Sequence, residues 1–190
     1  MVLRVMLVSA MAVALPAQER VKETIISDQA SASWAFEGKA EVKEVAAEGI
    51  PGGRALAVEV PARGVNPWDI QARLKLKEGF AAGDTVTFGF YARAIAPDPG
   101  KDTARVNVRV QRDAAPYDAA LEGALEIGPD WRFHCLAGPA KIALEPAQLA
   151  VSVQLAGDKH AIAFGPYLAT RIPAVAQGAR SGLPCGQPVG

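Results

Sequence analysis

Histidine and cysteine are nearly missing from this chain: each occurs only twice in 190 residues. His134 and His160 stand singly and far apart, so the ligand spacing of a zinc site is absent. There is no Gly-x-x-x-x-Gly-Lys phosphate loop, no Cys-x-x-Cys, no His-Glu-x-x-His and no Gly-x-Ser-x-Gly. A nucleophilic Cys135–His160 pair would lack a third, orienting residue. Net charge is missing as well, with 20 basic side chains against 20 acidic ones. The charges form no long runs, and this balance excludes the basic footprint of a nucleic-acid surface. Aromatic residues make up only 6% of the chain. These absences predict a protein that is not an enzyme.

A long apolar run is missing too, since a bilayer span needs about 20 consecutive apolar residues. The N-terminus carries a shorter one. Arg4 supplies a positive charge, and Val5 to Leu15 is apolar with small residues, the build of a secretory signal. Residues 1–17 are therefore expected to be an export signal, cleaved after Ala14 or Ala17, which implies a secreted or periplasmic protein with no membrane span after cleavage. An oxidising compartment permits a disulfide between Cys135 and Cys185. The alternation Trp131, Phe133, Cys135 predicts a core-facing Cys135, where a buried free thiol is the alternative.

What the chain has in quantity is period-two patterning, the mark of half-buried strands. Val106, Val108 and Val110 alternate with Arg105, Asn107, Arg109 and Gln111. Val86, Phe88, Phe90 and Ala92 alternate with Thr87, Gly89, Tyr91 and Arg93. Leu149, Val151, Val153 and Leu155 alternate with Gln148, Ser152 and Gln154. Trp68, Ile70, Ala72 and Leu74 alternate with Asp69, Gln71 and Arg73. Gly- and Pro-rich turns separate these runs, as at Gly49 to Gly53, Gly79 to Asp84, Ala96 to Asp102 and Gly128 to Asp130. The Ala-rich stretch from Asp113 to Leu121 reads as a loop. Roughly nine or ten strands over residues 21–172, each with one oily side, predict an all-β sandwich of two sheets. Residues 173–190 lose the period and read as a flexible Gly/Pro/Ala-rich tail.

Five segments in order carry a likeness. They are Gly49-Ile50-Pro51-Gly52-Gly53-Arg54-Ala55-Leu56-Ala57-Val58-Glu59-Val60, then Asn66-Pro67-Trp68-Asp69-Ile70-Gln71, then Gly83 to Ala94, then Trp131 after its turn, and finally the closing run Ala161 to Ile172. Together they resemble the CenC-type carbohydrate-binding modules of families 4 and 9 across about residues 30–172. The resemblance implies a jelly-roll sandwich that binds a polysaccharide or envelope glycan in a shallow groove on one sheet. Many members hold a structural calcium through an acidic pair in the last strand, where this chain reads Gly165-Pro166. No calcium and no other cofactor is therefore expected.

Sugars are recognised by aromatic faces that stack on pyranose rings and by planar polar groups that bond hydroxyls. On the hydrophilic strand sides, Asp69, Gln71, Asn107 and Gln111 offer carboxylate and amide groups, Arg93 and Arg109 offer forked donors, and Tyr91 offers a stacking ring. Trp68 shares the side of Ile70 by alternation, although a place at the rim after Pro67 would expose it. Trp34 and Trp131 read as packing residues. An alternative stays open: a structural or protein-interaction sandwich of the cell envelope, with a protein partner and no sugar.

Overall fold

The computed structural model describes residues 23–28, 33–176 and 181–185; the expected export signal, residues 1–17, lies outside them. Eleven strands are present among the described residues. They are β1 (Thr24–Ile25), β2 (Ala35–Glu37), β3 (Glu41–Ala46), β4 (Arg54–Val60), β5 (Gln71–Lys75), β6 (Thr85–Ala96), β7 (Ala104–Arg112), β8 (Ala119–Ile127), β9 (Arg132–Pro139), β10 (Leu149–Gln154) and β11 (His160–Ile172). The only helical turns among these residues are short 3-10 segments such as Pro51–Gly53 and Pro67–Asp69. The strands form two antiparallel sheets. The first runs β3-β4-β11-β6-β9, with β1 also on β11, and the second runs β2-β5-β10-β7-β8. Chain neighbours such as β5 and β6 fall in different sheets, so the chain passes repeatedly between layers, as in a jelly roll. The strand count exceeds the expected nine or ten by the shortest elements, two- and three-residue strands that show no period.

Alternation places the core. Val106, Val108 and Val110 of the second sheet and Val86, Phe88, Phe90 and Ala92 of the first are buried and belong to one hydrophobic cluster. Register carries this across strands: Val151 pairs with both Val110 and Leu74, and Val153 with both Val108 and Ala72. One residue of slip on any of these would turn its apolar set outward.

Trp34 lies at the centre of the aromatic part. Its ring meets those of Phe88, Phe90, Phe164 and Tyr167 edge-on, at centroid distances of 6.4, 5.5, 5.2 and 5.3 Å. Edge-to-face contacts of this kind are favoured by the ring quadrupoles. Its indole N–H donates to the Gly165 carbonyl at 2.9 Å. That carbonyl lies where the pairing of β11 with β6 slips between Phe164 and Tyr167, a β-bulge. Trp34 thus supplies a partner to a carbonyl that the interrupted ladder leaves unpaired.

The first sheet ends on β3, an edge strand whose residues are nearly all exposed. Glu41, Lys43 and Glu44 decorate it, with Lys43 paired to Glu41 at 3.3 Å and Glu44 to Arg54 at 3.1 Å.

His160 is buried beside Val60 at the start of β11, and neither ring nitrogen has a hydrogen-bond partner. Burial pushes its pKa below the ordinary value of 6.5, against the opposing pull of Asp158 and Asp98 and with a small further push from Lys101. Burial likewise lowers His134 on β9, against a bond to the Ala92 backbone.

Two outcomes follow. Trp34→Phe should cost about 2–3 kcal/mol by removing packed atoms and orphaning the Gly165 carbonyl, as read by urea denaturation. Both histidines take a proton more readily in the unfolded chain, so stability is full above about pH 6.5 and declines as pH falls below it. Thermal midpoints between about pH 7.5 and pH 5 should show this slope, and His160→Leu should flatten it; an unchanged slope in that variant would remove His160 from the account.

Candidate functional site

A two-sheet sandwich offers two outer faces, and here they differ. That of the first sheet is covered over much of its length, though it opens at Ala57, Ile95 and Ala161. Ala47, Ile50, Ala55 and Ala163 form a second small apolar cluster on it, flanked by Val45, Tyr91 and Trp131. Gly165 lies under this cover so closely that a Cβ there would meet the Ile50 Cδ1 at 2.7 Å and the Tyr91 Cβ at 3.0 Å. Tyr91 packs edge-on against Phe133 at 5.1 Å. The Arg93 guanidinium lies over the Trp131 ring at 5.5 Å, a cation–π contact.

The C-terminal segment completes the cover. Cys185 forms a disulfide with Cys135 of β9, with 5.4 Å between the Cα atoms. Gly89 beneath it has no room for a side chain, because a Cβ would come within 2.6 Å of both the Cys135 Cβ and the Phe133 ring. Glu23 clasps the same segment, accepting bonds from the Ser181 hydroxyl at 2.5 Å and the Gly182 N–H at 2.9 Å. Burial opposes the Glu23 charge, yet these bonds and one from Thr170 hold its pKa below the usual carboxylate value. The stretch expected to be a flexible tail is therefore anchored where it is described.

Two expectations need correction here. Tyr91 and Arg93 lie on β6, in the sheet opposite to Gln71, Asn107, Arg109 and Gln111, so one groove cannot hold them all. Alternation says which side of its own sheet a residue faces; it does not say which sheet. Cys135 and Phe133 face outward, level with Gly89 and Tyr91, while Leu136 packs against the core and His134 shares its phase. Phe133 is buried by the cover rather than by the sandwich interior, which is why the pattern misled.

The second sheet's outer face is open and its register forms polar rows. Glu37, Gln71, Gln154 and Asn107 lie side by side across β2, β5, β10 and β7. The next row runs Ala35, Arg73, Ser152, Arg109 and Glu122, and a third brings together Lys75, Ala150 and Gln111. The charges cancel locally. Arg73 bonds Glu37 at 3.1 Å and also Asp113, which takes Lys75 at 3.2 Å. Glu122 accepts from Lys141 at 3.0 Å, has Arg109 at 3.8 Å, and is held below the usual carboxylate pKa chiefly by the Lys141 bond. A depression of about 350 Å³ lies over Ala35 and Ala150, walled by Glu37, Arg73, Lys75 and Asp113.

Between the ion pairs lie amides. Gln71 is fixed from both ends: it donates to Glu37 at 2.7 Å and accepts from the Ser152 hydroxyl at 2.6 Å. Gln111 and Gln154 are only 7% and 8% exposed. Along with Asn107, they make no side-chain hydrogen bond to any described residue. These three amides retain their full capacity to bond a ligand across the sheet.

Trp68 and Asp69 sit in the 3-10 turn before β5, where the two-residue period does not hold. Trp68 is 53% exposed rather than core-facing. Asp69 is committed to its own turn, accepting from the Asn66 N–H at 2.9 Å and the Asn66 amide at 3.2 Å, and these bonds lower its pKa. No aromatic side chain occupies an outward position on β2, β5, β10, β7 or β8. An exposed aromatic that the sequence pattern gave no reason to select is Tyr117, in the β7–β8 loop and 50% exposed.

The chain belongs to a carbohydrate-binding family: the family profile described as a carbohydrate binding domain, grouping families 4 and 9, matches residues 20–133. Among solved structures, the second N-terminal cellulose-binding domain of a Cellulomonas fimi β-1,4-glucanase is similar at 15% identity and a TM-score of 0.56, covering 85% of this chain and 99% of that one. A family-4 carbohydrate-binding module is similar at 18% identity and a TM-score of 0.55, covering 79% and 94%. A xylan-binding domain from Paenibacillus barcinonensis follows at 12% and 0.51, covering 81% and 95%. At these identities the structural likenesses establish the fold. No curated protein sequence matches the chain. The protein is thus a carbohydrate-binding module on a β-sandwich.

The disulfide closes a separation of 50 residues, for which chain entropy alone gives about 4 kcal/mol. Cys185→Ser should lower unfolding free energy by about 2–4 kcal/mol in guanidinium titrations; a loss well under 1 kcal/mol would mean that Glu23 alone holds the segment.

Proposed function

We propose that the module binds a polysaccharide along the open face of the second sheet, without catalysis. The observation that carries this reading is the set of unpartnered amides of Asn107, Gln111 and Gln154. None of these side-chain amides is bonded to a described residue, and none is a fully buried orphaned group, so all three can exchange water for a ligand rich in hydroxyls, each both donor and acceptor. Gln71 adds a fourth amide whose orientation the protein sets in advance, which lowers the cost of ordering on binding. Arg109, tethered to the Tyr117 carbonyl at 3.1 Å, supplies remaining donors. Trp68 stands at the end of the face where β5 begins and offers a ring to a sugar.

The non-catalytic part of the reading rests on the state of the acids. Glu37, Asp113 and Glu122 on this face are each engaged with a cation, and no opposed pair stands ready as acid and base. We place the protein outside the cytoplasm, in the periplasm or beyond the cell. The Cys135–Cys185 bridge and the apolar N-terminal stretch support that location. With every cation of the face matched by an acid, nucleic acid has no counterpart here.

A competing reading, an envelope sandwich that docks a protein, draws on the lack of aromatics at the outward strand positions. Asn107→Ala separates the two. Asn107 has no side-chain hydrogen bond among the described residues, so its removal should shift stability by less than about 0.5 kcal/mol. Migration of the mature protein in native gels containing soluble β-glucan, xylan or mannan should be retarded by at least one of them, and Asn107→Ala should weaken that retardation several-fold. A protein partner recovered equally well by wild type and Asn107→Ala, with no retardation in any gel, would favour the competing reading.

A further inference from the structure

We propose that Tyr117, carried by the β7–β8 loop, is the stacking platform at the far end of the polysaccharide face, opposite Trp68. The inference rests on the glycan-binding reading above and assigns it a residue outside the strands. The polar floor has no ring of its own, and Tyr91, the ring that alternation favours, is occupied on the other sheet. A sugar needs an apolar face to lie on as well as donors and acceptors, so the rings must come from the rims.

Two exposed aromatics border this face. Trp68 precedes β5 by one turn, and the adjacent Pro67 carbonyl accepts the Ala156 N–H just beyond β10. Tyr117 follows β7 at the opposite end. From the Gln71–Gln154–Asn107 row to the Leu149–Arg112 pair there are five residue steps along β7, about 17 Å of strand. That is room for several sugar units between the two rings.

The Tyr117 loop is built to stay in place. The Arg112 N–H donates to the Asp118 carbonyl at 2.9 Å, the Asp113 N–H to the Gln148 carbonyl at 2.8 Å, and the Tyr117 N–H to the Ala114 carbonyl at 2.9 Å. Arg109, an outward residue of the floor, donates to the Tyr117 carbonyl, tying the loop to the face it borders. Tyr117 holds a φ of 58°, a conformation disfavoured for a bulky side chain. Glycine would adopt it more easily, yet a tyrosine stands there, half in water, with no aromatic contact and no side-chain hydrogen bond among the described residues. The fold gains nothing evident from the ring, whereas a ligand would.

The substitution that removes the ring also removes the backbone penalty, which separates structure from binding. Tyr117→Gly should keep its thermal midpoint close to wild type, because relief at φ 58° offsets the added freedom of the unfolded chain. In the polysaccharide gel that retards the wild type, chosen from barley β-glucan, xylan and mannan, its affinity should fall about tenfold, the usual scale for removing an interface aromatic. Tyr117→Phe, which keeps the ring, should bind like wild type. Tyr117→Gly bound within twofold of wild type, in a gel where Asn107→Ala is weakened, overturns the proposal and leaves the floor in place. A wild type that none of the three gels retards overturns the floor and the proposal together.

Discussion

The hydrogen bond from the Trp34 indole to the Gly165 carbonyl is the contact on which the sandwich turns. It joins residues 131 positions apart, one leading into the edge strand of the second sheet and the other at the bulge in the middle of the first. Around it, Phe88, Phe90, Phe164 and Tyr167 form a ring cluster that fills the gap between layers. The bulge lies midway along β11, which runs thirteen residues beside three partners, β4, β6 and β1. A twisted strand that long must shift register, and a shift leaves backbone groups unpaired. Trp34 resolves that locally with its single donor, and its bulk makes the resolution part of the core. Gly165 answers from the other side, since the Ile50 hairpin presses on its outer surface.

That pressure decides which face can serve as a site. The hairpin around Ile50, the Cys185 segment and the Glu23 clasp cover much of the first sheet, leaving the second sheet's outer surface as the broader open one. The open face is polar without being charged on balance. Its ions are joined in small clusters about Asp113 and Glu122, and the groups left over are neutral amides. As the proposed site, such a surface suits molecules that present many hydroxyls in a line better than it suits ions. The family to which the chain belongs therefore agrees with the chemistry of the face that the fold leaves uncovered.

Much of this was legible in the residues, for reasons that also mark the limit. Period two carried the inward set from Val106 to Val110 and the outward set from Asn107 to Gln111, because alternation is a property of a single strand. It could not place Tyr91 and Arg93, since membership of a sheet depends on pairing between distant segments. It failed at Trp68, where a 3-10 turn interrupts the strand, and at Phe133 and Cys135, where an outer cover makes the wrong side greasy. Tyr117 gave no periodic signal at all; its placement comes from a loop whose shape depends on Gln148 and Arg109. The pairing of Cys135 with Cys185 was permitted by the even cysteine count, but the Glu23 contacts that guide the segment had no trace in composition.

The charged edge of β3 has a consequence for a protein meant to gather on a polymer. Modules bound side by side along one chain reach local concentrations far above those in bulk, and an unpaired strand then invites a neighbour to extend its ladder. Glu41, Lys43 and Glu44 line that border, so an incoming copy would bury charges that already have partners of their own. Crowding on the ligand can proceed without the copies zipping into a continuous sheet.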